Sequence, residues 1–225
     1  MSYLIFILPA FLLSIYAQFK VKSTFKKYFQ VPSSGRRVGA DVAAALLQRN
    51  GMGGKVRVEK IAGSLSDNYD PRNYTLHLSE NVYGSNSIAA IGVVAHEVGH
   101  AIQHNQQYGP LELRHKIVPF TNFASSASFP ILLVGMLMNS LDLIMIGIVL
   151  FSAVVLFHLV TLPVELNASL RAVLQLTEAG LVSNDEVPMV KKVLGAAALT
   201  YLAATFMAIA NLLYYVMIFM GNRDD

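Results

Sequence analysis

The sequence predicts a mainly α-helical membrane protein, in which four transmembrane helices accompany a small α+β region. Composition is the first reason, because 54% of the 225 residues are hydrophobic and only 14% are charged, against a usual charged share of about 25%. The second is the presence of four apolar segments that approach or exceed the roughly 20 residues needed to cross a bilayer. The third is the mixed composition of residues 20–121, which can form a water-facing region.

The four apolar segments divide the chain, and they cover residues 3–19, 122–138, 141–162 and 196–220. The first has no basic residue ahead of it and a run of lysines and arginines after it, so we interpret it as a retained anchor and not a signal peptide. The predicted regions are an N-terminal anchor at 1–19, a water-facing region at 20–121, a transmembrane hairpin at 122–162, a helical segment at 163–195, and a C-terminal transmembrane helix with a short tail at 196–225.

Charge predicts the orientation and excludes some partners. Lysines and arginines fall in the segments on one side of the predicted spans, and such residues are retained on the cytoplasmic side. We therefore expect both termini outside and the water-facing region in the cytoplasm. The net charge of +3 is small and lies beside apolar segments, so nucleic acid is not an expected partner. The stretch "GMGGK" lacks the spacing of a phosphate-binding loop, so ATP is not expected either.

The water-facing region mixes helical and strand patterns. The stretch "GADVAAALLQRNGMGG" predicts a helix that ends at glycines, and "VRVEKI" and "YTLHLS" alternate with the period of strands. Between them "SLSDNYDPRN" is rich in turn residues and predicts a loop. Residues 87–106 then predict one long helix.

That helix contains His96, Glu97 and His100, which form an H-E-x-x-H motif. On an α-helix, residues four apart are separated by about 40° of rotation and about 6 Å of rise, so both imidazoles project from one face. Imidazole nitrogens are ligands of zinc, and the glutamate between them is placed to act as a general base. The chain has no cysteine, so further ligands would have to be histidine, carboxylate or water.

A catalytic zinc site needs a third protein ligand, which has to lie further along the chain. The candidates are Glu112, His115, Asp142, His158, Glu165, Glu178, Asp185 and Glu186. Two predicted spans separate the motif from Glu165, so the chain has returned to the same side there, whereas Asp142 falls on the opposite face. The stretch holding the last three candidates instead fits a glycine helix stop followed by a capping box. We therefore expect Glu165 to be the third ligand.

Several residues near this carboxylate are candidates for supporting roles. Glu165 is expected to begin a helix just after Pro163, with Asn167 and Arg171 within two turns to orient it. His158, two helical turns earlier in the third span, is expected to face the interior of the helix bundle as an outer group of the site.

The chain resembles the membrane-bound bacterial neutral zinc metallopeptidases of the YugP type. The resemblance is carried by "LSDNYDPRNYTLHLSENVY", "SIAAIGVVAHEVGHAIQ", "YGPLELRHKIVPFTNFAS" and "TLPVELNASLRA", which together cover most of the chain. The layout is also similar to that of the HtpX-like membrane peptidases. The sequence departs from the family pattern at Leu166 and Asn167, where the family tends to have phenylalanine and aspartate.

The resemblance implies a zincin-like, gluzincin-type catalytic region in a zinc-dependent endopeptidase of the bacterial cytoplasmic membrane. His96, His100 and Glu165 would bind one Zn²⁺ per chain, and Glu97 would be the general base. Proteins or peptides would be the substrates, with membrane proteins among the candidates, and cleavage would occur at the cytoplasmic face of the membrane.

Two further features have both a functional and a structural interpretation. Asp70 and Arg72, in "DNYDPR", either contact substrate or shape a tight turn. The strand "YTLHLS" is a candidate edge to which an extended peptide substrate could pair.

Two other functions stay open at the level of sequence. One is an intramembrane zinc protease, although the apolar part of the motif helix is short for a span. The other is a non-catalytic zinc-binding membrane assembly factor, although a structural site has no use for Glu97.

Overall fold

The computed structural model describes residues 2–223, with side chains described for residues 7–221. The helices and strands of the described residues are, in chain order, α1 (Ser2–Phe29), α2 (Gly39–Arg49), β1 (Arg57–Ile61), β2 (Asn68–Asp70), β3 (Thr75–Ser79), α3 (Glu80–Tyr83), α4 (Ile88–Asn105), α5 (Gly109–Leu137), α6 (Leu141–Glu178) and α7 (Val187–Arg223). The predicted mainly helical fold with a small sheet is confirmed.

The chain divides into two compact units. The span unit comprises the residues up to Gln18, Gly109–Pro163 and the residues from Thr200 onward. The site unit comprises Phe19–Tyr108 and Val164–Leu199. Helices α1, α6 and α7 contribute residues to both units.

Three helices of the described residues are long and apolar enough to cross a membrane, namely Gly109–Leu137, Leu141–Glu178 and Val187–Gly221. They correspond to the second, third and fourth predicted spans. The predicted first span, residues 3–19, lies on α1, but its first residues are among those whose side chains are not described. That span therefore stays a prediction.

In the span unit, α5 and α6 form a tight hairpin joined by residues 138–140. A Cβ at Gly135 would lie 2.8 Å from the backbone nitrogen of Ile144, and one at Gly147 would lie 2.5 Å from Cγ of Leu132. Both glycines are therefore needed for the close approach of the two helices. Large apolar side chains such as Leu137 and Val149 remain exposed on the outside, as expected of surfaces that contact lipid.

Helix α6 differs from the prediction at its middle. Pro163 was expected to precede the start of a new helix, but α6 runs without interruption from Leu141 to Glu178, so that prediction is wrong. Proline removes one N–H from the helical ladder, and long apolar helices tolerate this loss where neighbouring groups satisfy the freed carbonyl. The helix ends where predicted, with Gly180 in the left-handed region at φ 62°.

The site unit is built around α4, in which Ile91, Val94 and Val98 are fully buried. Helix α2 and the sheet pack against it. The strand order is β1-β3-β2, with β3 parallel to β1 and antiparallel to β2. The short strand β2 lies in the segment predicted to be a loop, because three residues are too few to show an alternating pattern.

The position of β3 contradicts one functional prediction. This strand, part of "YTLHLS", was expected to offer a free edge to a peptide, but it pairs with β1 on one side and with β2 on the other. Its leucines, Leu76 and Leu78, are fully buried. The prediction that β3 is an edge strand is therefore wrong, and β2 occupies that edge.

Candidate metal centre

Helix α4 presents the H-E-x-x-H motif, and its boundaries follow from local chemistry. The side chain of Ser87 accepts a hydrogen bond from the backbone nitrogen of Ala90 at 3.2 Å and caps the first turn. The helix ends at Asn105, within a residue of the predicted end. His96 and His100 are one turn apart on it, and their ring centroids are 4.8 Å apart.

A close approach of α4 to α6 brings the motif to the third candidate ligand. Gly99 lies at the contact, where a Cβ would be only 2.7 Å from the carbonyl oxygen of Ala168. Ala168 itself is fully buried. Two small residues therefore allow the two backbones to approach, and this places Glu165, one turn before Ala168, beside the histidines.

His96, His100 and Glu165 form a compact group of potential metal ligands. Oε2 of Glu165 is 3.2 Å from Nε2 of His96 and 3.5 Å from Nε2 of His100. One ligand atom from each residue lies within 4.8 Å of the others. Glu165 is almost completely buried, with its side chain 3% exposed.

This geometry suits a zinc ion. Tetrahedral donors at 2.0–2.1 Å from zinc are about 3.3–3.4 Å from one another, close to the two distances from Glu165 to the histidines. The donor set of two imidazoles and one carboxylate is one that catalytic zinc sites use, with the fourth position open. The residues present therefore fit the metal.

Gln103 holds His100 in the orientation that a ligand needs. Its Oε1 lies 2.9 Å from Nδ1 of His100, while its Nε2 donates to the carbonyl of Val164 at 2.9 Å and to Oδ1 of Asn167 at 3.0 Å. Since the amide nitrogen is used by two acceptors, Oε1 accepts from Nδ1–H, and Nε2 of His100 keeps its lone pair for a metal. Gln103 is fully buried.

Ser169 stands in the corresponding position for His96, with its Oγ 3.2 Å from Nδ1. Neither Gln103 nor Ser169 was predicted to support the site. Gln103 falls seven residues after His96 on the same helix, so the helical period alone places it on the face of the motif. Ser169 falls four residues after Glu165, so the same period places it on the face of that residue, but its contact with His96 depends on how α6 packs against α4.

Asn167 and Arg171 were predicted to orient Glu165, and the structure places them beside Gln103. Nε of Arg171 donates to Oδ1 of Asn167 at 2.7 Å, and Nη1 donates to Oε1 of Gln106 at 2.6 Å. The guanidinium also lies 5.8 Å from the ring centre of Tyr108. The two residues thus connect α6 to the end of α4 and to the amide that contacts His100.

Glu97 contacts the edge strand of the sheet. Its Oε2 accepts a hydrogen bond from the backbone N–H of Tyr69, in β2, at 3.1 Å. Burial raises the pKa of the Glu97 carboxyl, and the neighbouring His96 and His100 oppose that rise. A carboxylate with a raised pKa is better suited to exchange protons near neutral pH.

His104 secures the same strand to the last turn of α4. Its Nδ1 lies 2.9 Å from the hydroxyl of Tyr69, and its ring is 5.1 Å from that of Tyr74. Burial raises the pKa of Tyr69 to about 12, so its hydroxyl keeps its proton. Tyr69 is therefore held to α4 at both its backbone and its side chain, a role that sequence patterns did not indicate.

Asp70, Arg72 and His158 are the remaining candidates. Asp70 accepts hydrogen bonds from the backbone and side chain of Arg72 within one turn, and these bonds lower the pKa of Asp70 to about 2. The Arg72 side chain is 88% exposed, which favours the structural interpretation of the pair. His158 belongs to the span unit, where its ring contacts that of Phe157.

Two histidines of an H-E-x-x-H helix beside a buried carboxylate from a later helix form a candidate metal group with the donor set of His₂Glu metallopeptidases. The comparisons with known proteins agree. The chain belongs to the family described as "Putative neutral zinc metallopeptidase", which matches residues 3–220. It is also 50% identical to the "Putative membrane protease YugP" of Bacillus subtilis (strain 168) over 225 residues, all of both chains. The predicted resemblance is thereby confirmed. No solved structure matches the chain.

Proposed function

We propose that the protein is a zinc-dependent endopeptidase embedded in the bacterial cytoplasmic membrane, and that it hydrolyses peptide bonds of protein substrates at the cytoplasmic face. The observation that carries this proposal is the buried group of His96, His100 and Glu165 with Glu97 beside it. Membership of a peptidase family supports protein substrates.

In this proposal His96, His100 and Glu165 hold the metal, and Gln103 and Ser169 fix the two rings. A bound zinc ion would act as a Lewis acid on the scissile carbonyl and on water. Glu97 accepts a proton from the attacking water and then donates it to the leaving amine.

Strand β2 offers a place for the substrate backbone. Within the described residues it pairs with β3 on one side, and the N–H of Tyr69 points away from β3 to Glu97. An extended peptide that pairs with the outer edge of β2 would pass directly beside the general base. In this proposal the substrate pairs with β2 and not with β3.

Substitution of single site residues in purified full-length protein tests the proposal. His96→Ala is expected to lose bound zinc, whereas His104→Ala, on the same helix but outside the ligand group, is expected to retain it. Glu97→Gln is expected to retain zinc and to lose cleavage of a peptide substrate by at least about 10²-fold. Full activity of Glu97→Gln would show that the proposed mechanism is wrong.

The intramembrane protease is a weaker alternative. Helix α4 is not among the candidate spans of the described residues, and it packs against the sheet within the site unit. Cleavage of a soluble peptide in detergent supports an enzyme acting at the membrane surface, and cleavage confined to spanning substrates supports the alternative. Inactivity of zinc-loaded wild-type protein across a broad peptide panel would favour a non-catalytic assembly factor.

The orientation with the site unit in the cytoplasm is also part of the proposal. It rests on lysines and arginines in the segments between the spans. Reporter fusions at residue 60 and at the C-terminus are the test, and an external residue 60 would reverse the orientation.

A further inference from the structure

A groove between α1 and α7 lies in the site unit, lined by none of the residues of the metal centre. It has a volume of about 490 Å³. On α1 it is lined by Lys20, Thr24, Lys27 and Tyr28, whose spacing of three or four residues places them on one face. On α7 the same spacing selects Lys192, Gly195, Ala196 and Leu199.

The groove is positively charged and has no acidic wall. Three of its eight lining residues are lysines, and none is acidic. Among the described residues, no ion pair involves Lys20, Lys27 or Lys192. Three ammonium groups around one groove repel one another, so an anion bound between them would be favoured.

The groove also lies at the boundary between polar and apolar segments of the sequence. Lys20 directly follows the apolar segment predicted to be the first span. On α7, Lys192, Gly195 and Leu199 all lie within the candidate span Val187–Gly221, and the segment predicted from the sequence as the fourth span begins at residue 196. Lysines at such a boundary lie at the level of the lipid headgroups.

The walls leave room for a ligand. A Cβ added at Gly195 would meet no atom within 4 Å, so the space beside that residue is open. Thr24 and Tyr28 are buried at the base of the α1 face. Apolar residues of α7 continue from the groove into the span.

We propose that this groove binds the phosphate headgroup of an anionic phospholipid, with Lys20, Lys27 and Lys192 around the phosphate and an acyl chain along α7. A soluble phosphate would share the headgroup chemistry, but α7 is a candidate span and α1 carries the predicted first span, and phospholipid is the abundant phosphate diester at a membrane surface. The site is independent of the metal centre and of the proposed peptidase activity.

Lipid binding to full-length protein in a neutral detergent tests the proposal. Native mass spectrometry would measure the dissociation constants of phosphatidylglycerol and of phosphatidylcholine. The triple variant Lys20→Gln, Lys27→Gln, Lys192→Gln should bind phosphatidylglycerol about a hundredfold more weakly, since each exposed ion pair to the phosphate contributes up to about fivefold and three would be lost. The control variant Lys22→Gln, Lys26→Gln, Lys191→Gln carries the same charge change on the same helices but outside the groove lining, and it should stay within about threefold of wild type because salt screens charges that do not contact the phosphate.

Three outcomes would overturn the proposal. Equal weakening in both triple variants would show general charge attraction and no site. Equal affinity for phosphatidylcholine would show that charge is not recognised, and displacement of the lipid by millimolar inorganic phosphate would assign the groove to a soluble anion. A third variant with arginine at the same three positions should retain binding, which separates loss of charge from loss of folding.

Discussion

Replacement of Gly99 by alanine should loosen the contact between α4 and α6 and disturb the metal centre. The new Cβ would lie 2.7 Å from the carbonyl oxygen of Ala168 and 3.3 Å from its Cα. These neighbours are backbone atoms, which cannot rotate away. Restoring ordinary contact at about 3.4 Å requires the helices to separate by about 0.7 Å.

The expected change in the free energy of unfolding of Gly99→Ala combines two opposing effects. Overpacking of a close contact destabilises by about 1–3 kcal/mol, and replacing glycine by alanine within a helix stabilises by about 0.5–1 kcal/mol. Gly92→Ala on the same helix is the matched control, because its Cβ would meet Cγ1 of Val190 at an ordinary 3.7 Å. The difference in the free energy of unfolding between the two variants should therefore be about 1–3 kcal/mol.

The assays are chemical unfolding of the full-length protein in detergent, zinc competition with a chelator, and peptide cleavage. Separation of α4 from α6 moves Glu165 away from the histidines, and a displacement near 1 Å can reduce the rate by about 10²-fold. Gly92→Ala should match or exceed wild-type stability and keep its zinc affinity. If Gly99→Ala proves as stable as Gly92→Ala and binds zinc equally well, the packing argument is wrong.

Three further predictions concern other contacts of the site unit. Gln103→Leu should weaken zinc binding by about 10- to 100-fold in a chelator competition, because His100 loses the acceptor that orients it; Gln48→Leu, on the exposed surface of α2, is the control. Glu186→Gln should lower the free energy of unfolding by about 1–3 kcal/mol at pH 7, because Glu186 accepts hydrogen bonds from Ser34 and Ser183. Burial alone would raise the pKa of Glu186, but these bonds lower it below 4.5. The difference in the free energy of unfolding between wild type and Glu186→Gln should therefore be complete above pH 4.5 and vanish as the pH falls through the lowered pKa. Chelation of zinc should lower the Tm of wild type and leave that of His96→Ala unchanged.

The parts of the structure that could be predicted depend on local signals. The capping serine, the apolar face and the polar end of α4 all lie within its own residues, so its bounds were predicted to within about a residue. The three later spans were recognisable for the same reason, because length and apolar composition are properties of a single segment. The candidate ligand group could also be predicted. Two predicted spans separate Glu165 from the motif, and the number of intervening spans decides on which side of the membrane a residue lies.

The parts that could not be predicted depend on packing between distant segments. The pairing of β2 with β3 decides which strand forms the edge, and three residues carry no periodic signal. The continuity of α6 through Pro163 depends on whether surrounding groups satisfy the freed carbonyl, which the sequence alone does not state. Ser169 reaches His96 only because α6 approaches α4 at Gly99.

The order of the ligands along the chain has a consequence for biosynthesis. The ribosome synthesises His96 and His100 before either helix of the hairpin formed by α5 and α6, and Glu165 follows only after α5 and the first part of α6. A nascent or truncated chain that stops before Glu165 therefore carries two ligands and the general base but lacks the third ligand. Maturation of the proposed enzyme is thus tied to synthesis of its own hairpin.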